Sequence, residues 1–209
     1  MAYYTEDIRS RGIQSGVAHA PFDEALEILR SQGESIISIA QNAQLRIQEG
    51  TEAYISQNGN YVREGVIYIP KAKPKLVRFS PILSFVKDAT YAHGQGEEFC
   101  PSQDLIDIAL GDSVEFPQKD ILIPTNRFNS EGLLAFLFGG VDKAQAYGNF
   151  LDSTGIKEMF VCVVDNNYVN KQDKPFARPL WFGGLIDGSY LDVSIHYLHN
   201  DERVRGVRE

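Results

Sequence analysis

Two histidines, His196 and His199, stand in H-x-x-H spacing near the end of the chain and are the first residues with chemistry to test. Metal binding needs both imidazoles on one face with a third ligand in reach. On a strand, residues three apart point to opposite faces, and no further ligand sits at a helpful spacing, so they read as two surface imidazoles. Cys100 and Cys162 lie far apart, form no CxxC or knuckle pattern, and read as small buried hydrophobes. "HGQGEE" (93–98) lacks the strand-to-helix setting of a phosphate loop and reads as a surface loop, while "FGGVDK" lacks the residues of a P-loop. Lys71, Lys73 and Lys75 alternate with Pro and Ala as a solvated loop. The pairs Glu97/Glu98 and Asp104/Asp107 could serve as acid and base, but nothing in the sequence gives them opposed environments. The expectation is no catalytic residue, no metal and no cofactor.

A different pattern occupies residues 182 to 201, "FGGLIDGSYLDVSIHYLHND". Every residue there belongs to the set that pyrimidine-ending codons encode. Lys, Glu, Gln, Met and Trp are absent, although Lys, Glu and Gln are common elsewhere in the chain. The stretch is rich in Gly, Tyr, Ser, His, Asp and Asn, types that supply rigid amphipathic contacts and adaptable hydrogen bonds in antibody loops. Trp181 precedes it and "RVRGVR" follows.

The elements that must hold such a segment can be read from periodicity. "PFDEALEILRSQG" places Phe22, Ala25, Leu26 and Leu29 on one helical face, with Gly33 beyond its end. "ISIAQNAQLRIQEG" fits a helix or a helix running into a strand. "AYISQNGNYVREGVIYIP" reads as strand, Asn58-Gly59 turn and strand. "CPSQDLIDIALGD" reads as a helix capped by Ser102, with Leu105, Ile108 and Ala109 inward. Two short helices follow, the second capped by Asp142 and ended by Gly155. "MFVCVVD" is a buried strand, and "LWF", "IHYL" and "RVRGVR" are short β-favouring pieces. Strands and helices without a βαβ rhythm give an α+β class. The 209 residues read as one domain, with residues 1–50 an N-terminal helical extension.

The net charge of −8 argues against sequence-independent nucleic-acid binding, which needs surplus cations. No apolar run is long enough to span a bilayer, and no secretory leader is expected at the start. Cytoplasmic folding is therefore the default expectation, with surface or virion display open.

"DKPFARPLWFGGLIDGSYL" and "RVRGVRE", supported upstream by "NAQLRIQEG" and "YVREGVIYIP", resemble the variable proteins of archaeal diversity-generating retroelements. That resemblance implies a C-type lectin-like fold of the formylglycine-generating-enzyme-like subtype. It also implies a C-terminal region (178–209) rewritten by adenine-specific mutagenesis. Adenine-free codons protect a scaffold, for which Leu180, Trp181, Leu185, Leu191, Leu198, Val204 and Val207 are the candidates. The variable, ligand-binding candidates are Phe182, Gly183, Gly184, Ile186, Asp187, Gly188, Tyr190, Asp192, Val193, Ser194, His196, Tyr197, His199, Asn200 and Asp201, with Glu202 marking the edge. The ligand implied is an unidentified macromolecule, a protein rather than a small molecule. "DKP" and "LWFG" stand where calcium-dependent lectins carry their ligand motifs, so calcium-dependent sugar binding is not expected. Two other readings are a fixed-specificity adhesion or structural module and a formylglycine-generating-type enzyme. The distant cysteines speak against the enzyme.

Overall fold

Phe22, Ala25, Leu26 and Leu29 are the buried residues of the first helix, as their spacing requires, and they lie on a sheet that runs through the whole chain. The computed structural model describes residues 2–7, 15–194, 198–200 and 202–208, apart from the Asp187 side chain. Strands β1 (Tyr3–Asp7) and β2 (Ser15–Ala20) precede α1 (Phe22–Ser31), β3 (Ser35–Ile36), α2 (Ile39–Glu49) and α3 (Tyr54–Gln57). Then come β4 (Asn60–Tyr68), β5 (Lys75–Val77), α4 (Val86–Gly94), α5 (Gln103–Leu110), β6 (Ser113–Glu115) and β7 (Ile121–Pro124). The last elements are α6 (Gly132–Phe138), α7 (Val141–Ser153), β8 (Glu158–Cys162), α8 (Asn166–Val169), β9 (Phe176–Phe182), β10 (Ser189–Asp192) and β11 (Glu202–Val207).

Among the described residues the strands form one sheet ordered β1-β2-β11-β4-β9-β10-β8-β7, with β3 beside β11, β5 beside β4 and β6 beside β5. β11 pairs antiparallel with β2 from Glu202↔Ala20 to Val207↔Ser15. Residues 1–50 do contain two helices, but their strands are built into the sheet beside β11 instead of standing off it. One face of the sheet packs against α2, α6 and α7 through Leu45, Phe138, Tyr147, Leu151, Leu180 and Phe182. The other packs against α1 and α4 through Phe22, Leu26, Leu29, Tyr61, Trp181 and Val204. Each fully buried side chain of this kind contributes on the order of 1.5–3 kcal/mol.

Several local expectations are corrected. Residues 54–57 form α3 and not a strand, and Gly59 is not among the positive-φ glycines that a tight Asn-Gly turn uses. A Cβ at Gly59 would come within 2.5 Å of the Trp181 indole Nε1, so close packing explains this glycine. In α5 the buried residue is Ile106, while Ile108 is 75% exposed. Ser102 is the N-cap of α5 but makes no side-chain cap bond. Gly140, not Asp142, precedes α7, and Gly155 lies just past its end with φ +89°. β8 alternates between buried and accessible residues where a continuous apolar run had predicted full burial. Cys100 is exposed and Cys162 half-buried, and both are free thiols. Of "IHYL", Ile195 to Tyr197 lie outside the described residues and Leu198 sits in a turn.

Candidate ligand-binding surface

β9 and β10 are antiparallel neighbours in the register Leu191↔Phe182 and Asp192↔Trp181. Side chains alternate along a strand, so Phe182 and Leu191 share the face toward α2 and α7. Trp181, Tyr190 and Asp192 share the opposite face. From Gly188 to Ser194 the alternation is unbroken. Ser189, Leu191 and Val193 are buried, whereas Gly188, Tyr190 and Asp192 are half-buried and Ser194 is exposed.

β8 continues the accessible face. It runs parallel to β10 with Tyr190↔Phe160 and Asp192↔Cys162, and β7 adds Leu122 opposite Phe160. Leu122 is 54% exposed, and Phe160 and Cys162 are half-buried. Tyr190 and Asp192 thus stand on an open, largely apolar strip of sheet. The Asp192 carboxylate accepts hydrogen bonds from the Ser194 N–H (2.7 Å) and hydroxyl (2.6 Å), which fixes the start of the loop after β10. Sequence reasoning passed over Leu122 and Phe160. The sequence carried no clear signal for them, because in 158–162 only Glu158 is polar and Phe160 and Cys162 are as apolar in type as their buried neighbours Met159 and Val161.

A buried ion pair anchors the same loop. The Arg178 Nε–H donates to Glu98 (2.7 Å), and its Nη2 makes a second contact with that carboxylate. The Tyr168 hydroxyl also donates to Glu98 (2.7 Å), and Arg178 Nη1 donates to the Ser194 carbonyl (3.2 Å). Planar bidentate pairing of this type combines energy with direction. Glu98 was read as part of a surface loop. Its partner lies eighty positions away, beyond the reach of any spacing rule.

Of the variable candidates, Ile186 is 71% exposed, and Ser194, His199 and Asn200 are exposed. Four others are interior. Phe182 is fully buried, with the Arg46 guanidinium 4.0 Å from its ring centroid and Tyr147 at 5.7 Å. Val193 is fully buried in the same core. Gly183 is covered by the Tyr190 ring and Gly184 by the Gln57 carbonyl, so an added Cβ at either would overlap its neighbour. These four residues form part of the packing and cannot contact a ligand from the surface. His196, Tyr197, Asp201 and the Asp187 side chain lie outside the described residues.

Among the scaffold candidates Leu180, Leu191, Leu198 and Val204 are fully inaccessible, Val207 and Trp181 are buried, and Leu185 is half-buried. Trp181 meets Tyr61 edge-to-face at 5.0 Å. The structure brings Tyr190, Asp192 and Ser194 together. Ile186 instead borders a cleft of about 620 Å³ with Glu52, Gln57, Ser153 and Thr154. His199 borders another cleft, between α1 and α4.

Neither thiol is activated. Burial, with the nearby charges of Asp192 and Asp120, pushes Cys162 up to about 11, and burial also raises Cys100. Both are therefore protonated near neutrality and poor nucleophiles. Among the described residues no group of three or more His, Cys, Asp or Glu could hold a metal ion. The H-x-x-H pair falls partly outside them. No helix among the described residues is long and apolar enough to cross a membrane.

No protein-family profile matches the chain, and no curated protein does. A solved structure does. It carries the description "Accommodation of massive sequence variation in Nanoarchaeota by the C-type lectin fold" and superposes with a TM-score of 0.66 at 14% identity. The match covers 96% of this chain and 99% of that one. This chain accordingly has an α+β, C-type lectin fold.

Proposed function

We propose that this chain is a non-enzymatic ligand-binding protein whose C-terminal surface is diversified by a retroelement through adenine-specific mutagenesis. The observation that carries the reading is the alternation from Gly188 to Ser194. Residues of one parity pack into the core, and residues of the other parity stand on an open sheet face. The neighbouring fold is one described as accommodating massive sequence variation, which supports the same reading. The positions assigned to ligand contact are Ile186, Gly188, Tyr190, Asp192, Ser194, His199 and Asn200, together with Asp187, His196, Tyr197 and Asp201. Phe182, Gly183, Gly184 and Val193 move to the fixed set with the scaffold.

Leu122 and Phe160 supply an unvarying apolar base beside the writable residues. Such a strip suits a protein ligand, because interface cores are apolar and aromatic with a polar rim. Sequencing the DNA beside the native gene tests the mechanism. The expected finding is a near-copy of the 3′ coding stretch that differs only where the copy has adenine, beside a reverse-transcriptase gene. A native locus holding neither contradicts it.

A further inference from the structure

α2 turns to the outside a surface unlike that of α1. The exposed residues of α1 include Glu24, Glu27 and Arg30, the charged types expected of a helix face in water. On α2 the exposed residues are Gln44, Ile47 and Gln48, with Ala40 and Gln41 half-buried beside them. None of these five carries a charge, in a chain whose net charge is −8. The charges of α2 lie off this face: Arg46 is fully buried and Glu49 closes the helix.

A cleft of about 300 Å³ runs along the same face, lined by Ala40, Ala43 and Ile47 of α2, Phe138 of α6, and Lys143 and Ala146 of α7. Three alanines and Phe138 make it apolar, and the neutral amides of Gln44 and Gln48 border it. Ile47 stands beside the alanines, 41% exposed. One patch thus holds both an apolar hole and an apolar knob. The single charge, Lys143, sits near the first turn of α2. A Cβ added to Gly139 would lie 3.9 Å from both the Ala40 Cβ and the Lys143 Nζ.

We propose that this face docks a second copy of the chain, α2 against α2 about a two-fold axis. A two-fold contact sets a patch against itself, so a patch with several charges of one sign would repel its own copy. A basic partner would find no carboxylate lining this cleft, and an acidic one would find only Lys143. The uncharged surface therefore fits its own copy. With the helices antiparallel, Ile47 of each copy enters the alanine-lined hole of the other, and Gln44 and Gln48 exchange amide hydrogen bonds. Lys143 of each copy then lies toward the C-terminal end of the other α2, where the helix dipole favours a cation, and the two ammonium groups stay apart.

α2 packs on the sheet face that carries Phe182 and Leu191, so this pairing leaves Tyr190 and Asp192 of both copies on the free face. Two outward surfaces in one particle gain avidity for a repeated ligand without any new contact. None of the docking residues lies within 182–201, so the pairing stands or falls separately from diversification of that segment. Eleven helical residues span about 16 Å, a contact of the small, transient class, and half-pairing is expected at roughly 100 µM.

Sedimentation velocity of the whole chain over a dilution series reaching about tenfold above and below that concentration tests the proposal. The parent passes from monomer to dimer, and the ¹⁵N-labelled amides of Gln44, Ile47, Gln48 and Ala146 shift with concentration while those of α1 stay still. Ile47→Ser weakens the pairing about tenfold or more, the loss of one buried apolar side chain. Ile47→Glu stays monomeric throughout, and Glu27→Gln on α1 pairs like the parent. If either Ile47 variant folds poorly, Ala146→Glu on the opposite wall decides by the same measurement. A parent that stays monomeric over the whole series, or a dimer that Ile47→Glu and Ala146→Glu leave intact, overturns the pairing.

Discussion

Leu191 and Tyr190 are neighbours on one strand, yet the first is sealed in the core beside Phe182 and the second stands half-open above Phe160. The same contrast separates Val193 from Ser194. Tolerance to change is therefore set residue by residue and not segment by segment. A two-residue period places a fixed row and a writable row within one short stretch of chain. The glycines sharpen the contrast. Gly188 has open space around it but sits at φ +94°, where a side chain is strained, whereas Gly183 and Gly184 are closed in by Tyr190 and the Gln57 backbone. Three glycines that look alike in sequence thus obey different constraints.

The largest expected effect falls on the fixed row. Phe182→Ala removes the ring that Phe138, Tyr147 and the Arg46 guanidinium pack against, and destabilises by about 3–5 kcal/mol in urea unfolding. A loss below about 1 kcal/mol would return Phe182 to the writable set.

A second test asks what else the fixed framework can absorb. Glu64 on β4 is buried; its Oε2 accepts the Ile39 N–H at 3.1 Å, and Oε1 has no hydrogen-bond partner among the described residues, only the Arg63 Nε at 3.8 Å. Burial, only partly offset by that hydrogen bond and by Arg63, raises its carboxyl from 4.5 to about 7. The folded state thus holds a proton that the unfolded state releases. The stabilisation is complete below pH 4.5 and is lost as pH rises through about 7. Glu64→Gln keeps an acceptor for Ile39 and removes the charge. It is expected to be more stable than the parent at pH 8 by on the order of 2–3 kcal/mol, with little difference at pH 4. Urea midpoints at the two values check this, and a pH-independent difference would contradict it.

The smallest effect belongs to the exposed positions. Asn200→Tyr and Ile186→Ser are each expected within about 0.5 kcal/mol of the parent. Thermal unfolding reads this directly, and a cost of several kcal/mol at either position would erase the contrast.

Much of the framework was legible where local periodicity decides it. The inward face of α1, the end of α7 before Gly155, and "RVRGVR" as a strand all follow from spacing and end signals. Four of the misreadings share one cause, contact between distant parts of the chain. Gly59 answers to Trp181, Gly184 to Gln57, Glu98 to Arg178 and Phe182 to Arg46. Residue types within 182–201 pointed to a binding segment. Only the pairing of β9 with β10 and of β10 with β8 separates its inward residues from its outward ones.

The most direct measurement compares two displayed libraries built with pyrimidine-ending codons and sorted for protease resistance. One randomises Ile186, Tyr190, Asp192, Ser194, His199 and Asn200. The other randomises Leu180, Phe182, Leu191 and Val193. The first is expected to keep most members folded and the second only a small minority; equal folded fractions in the two libraries would contradict the account.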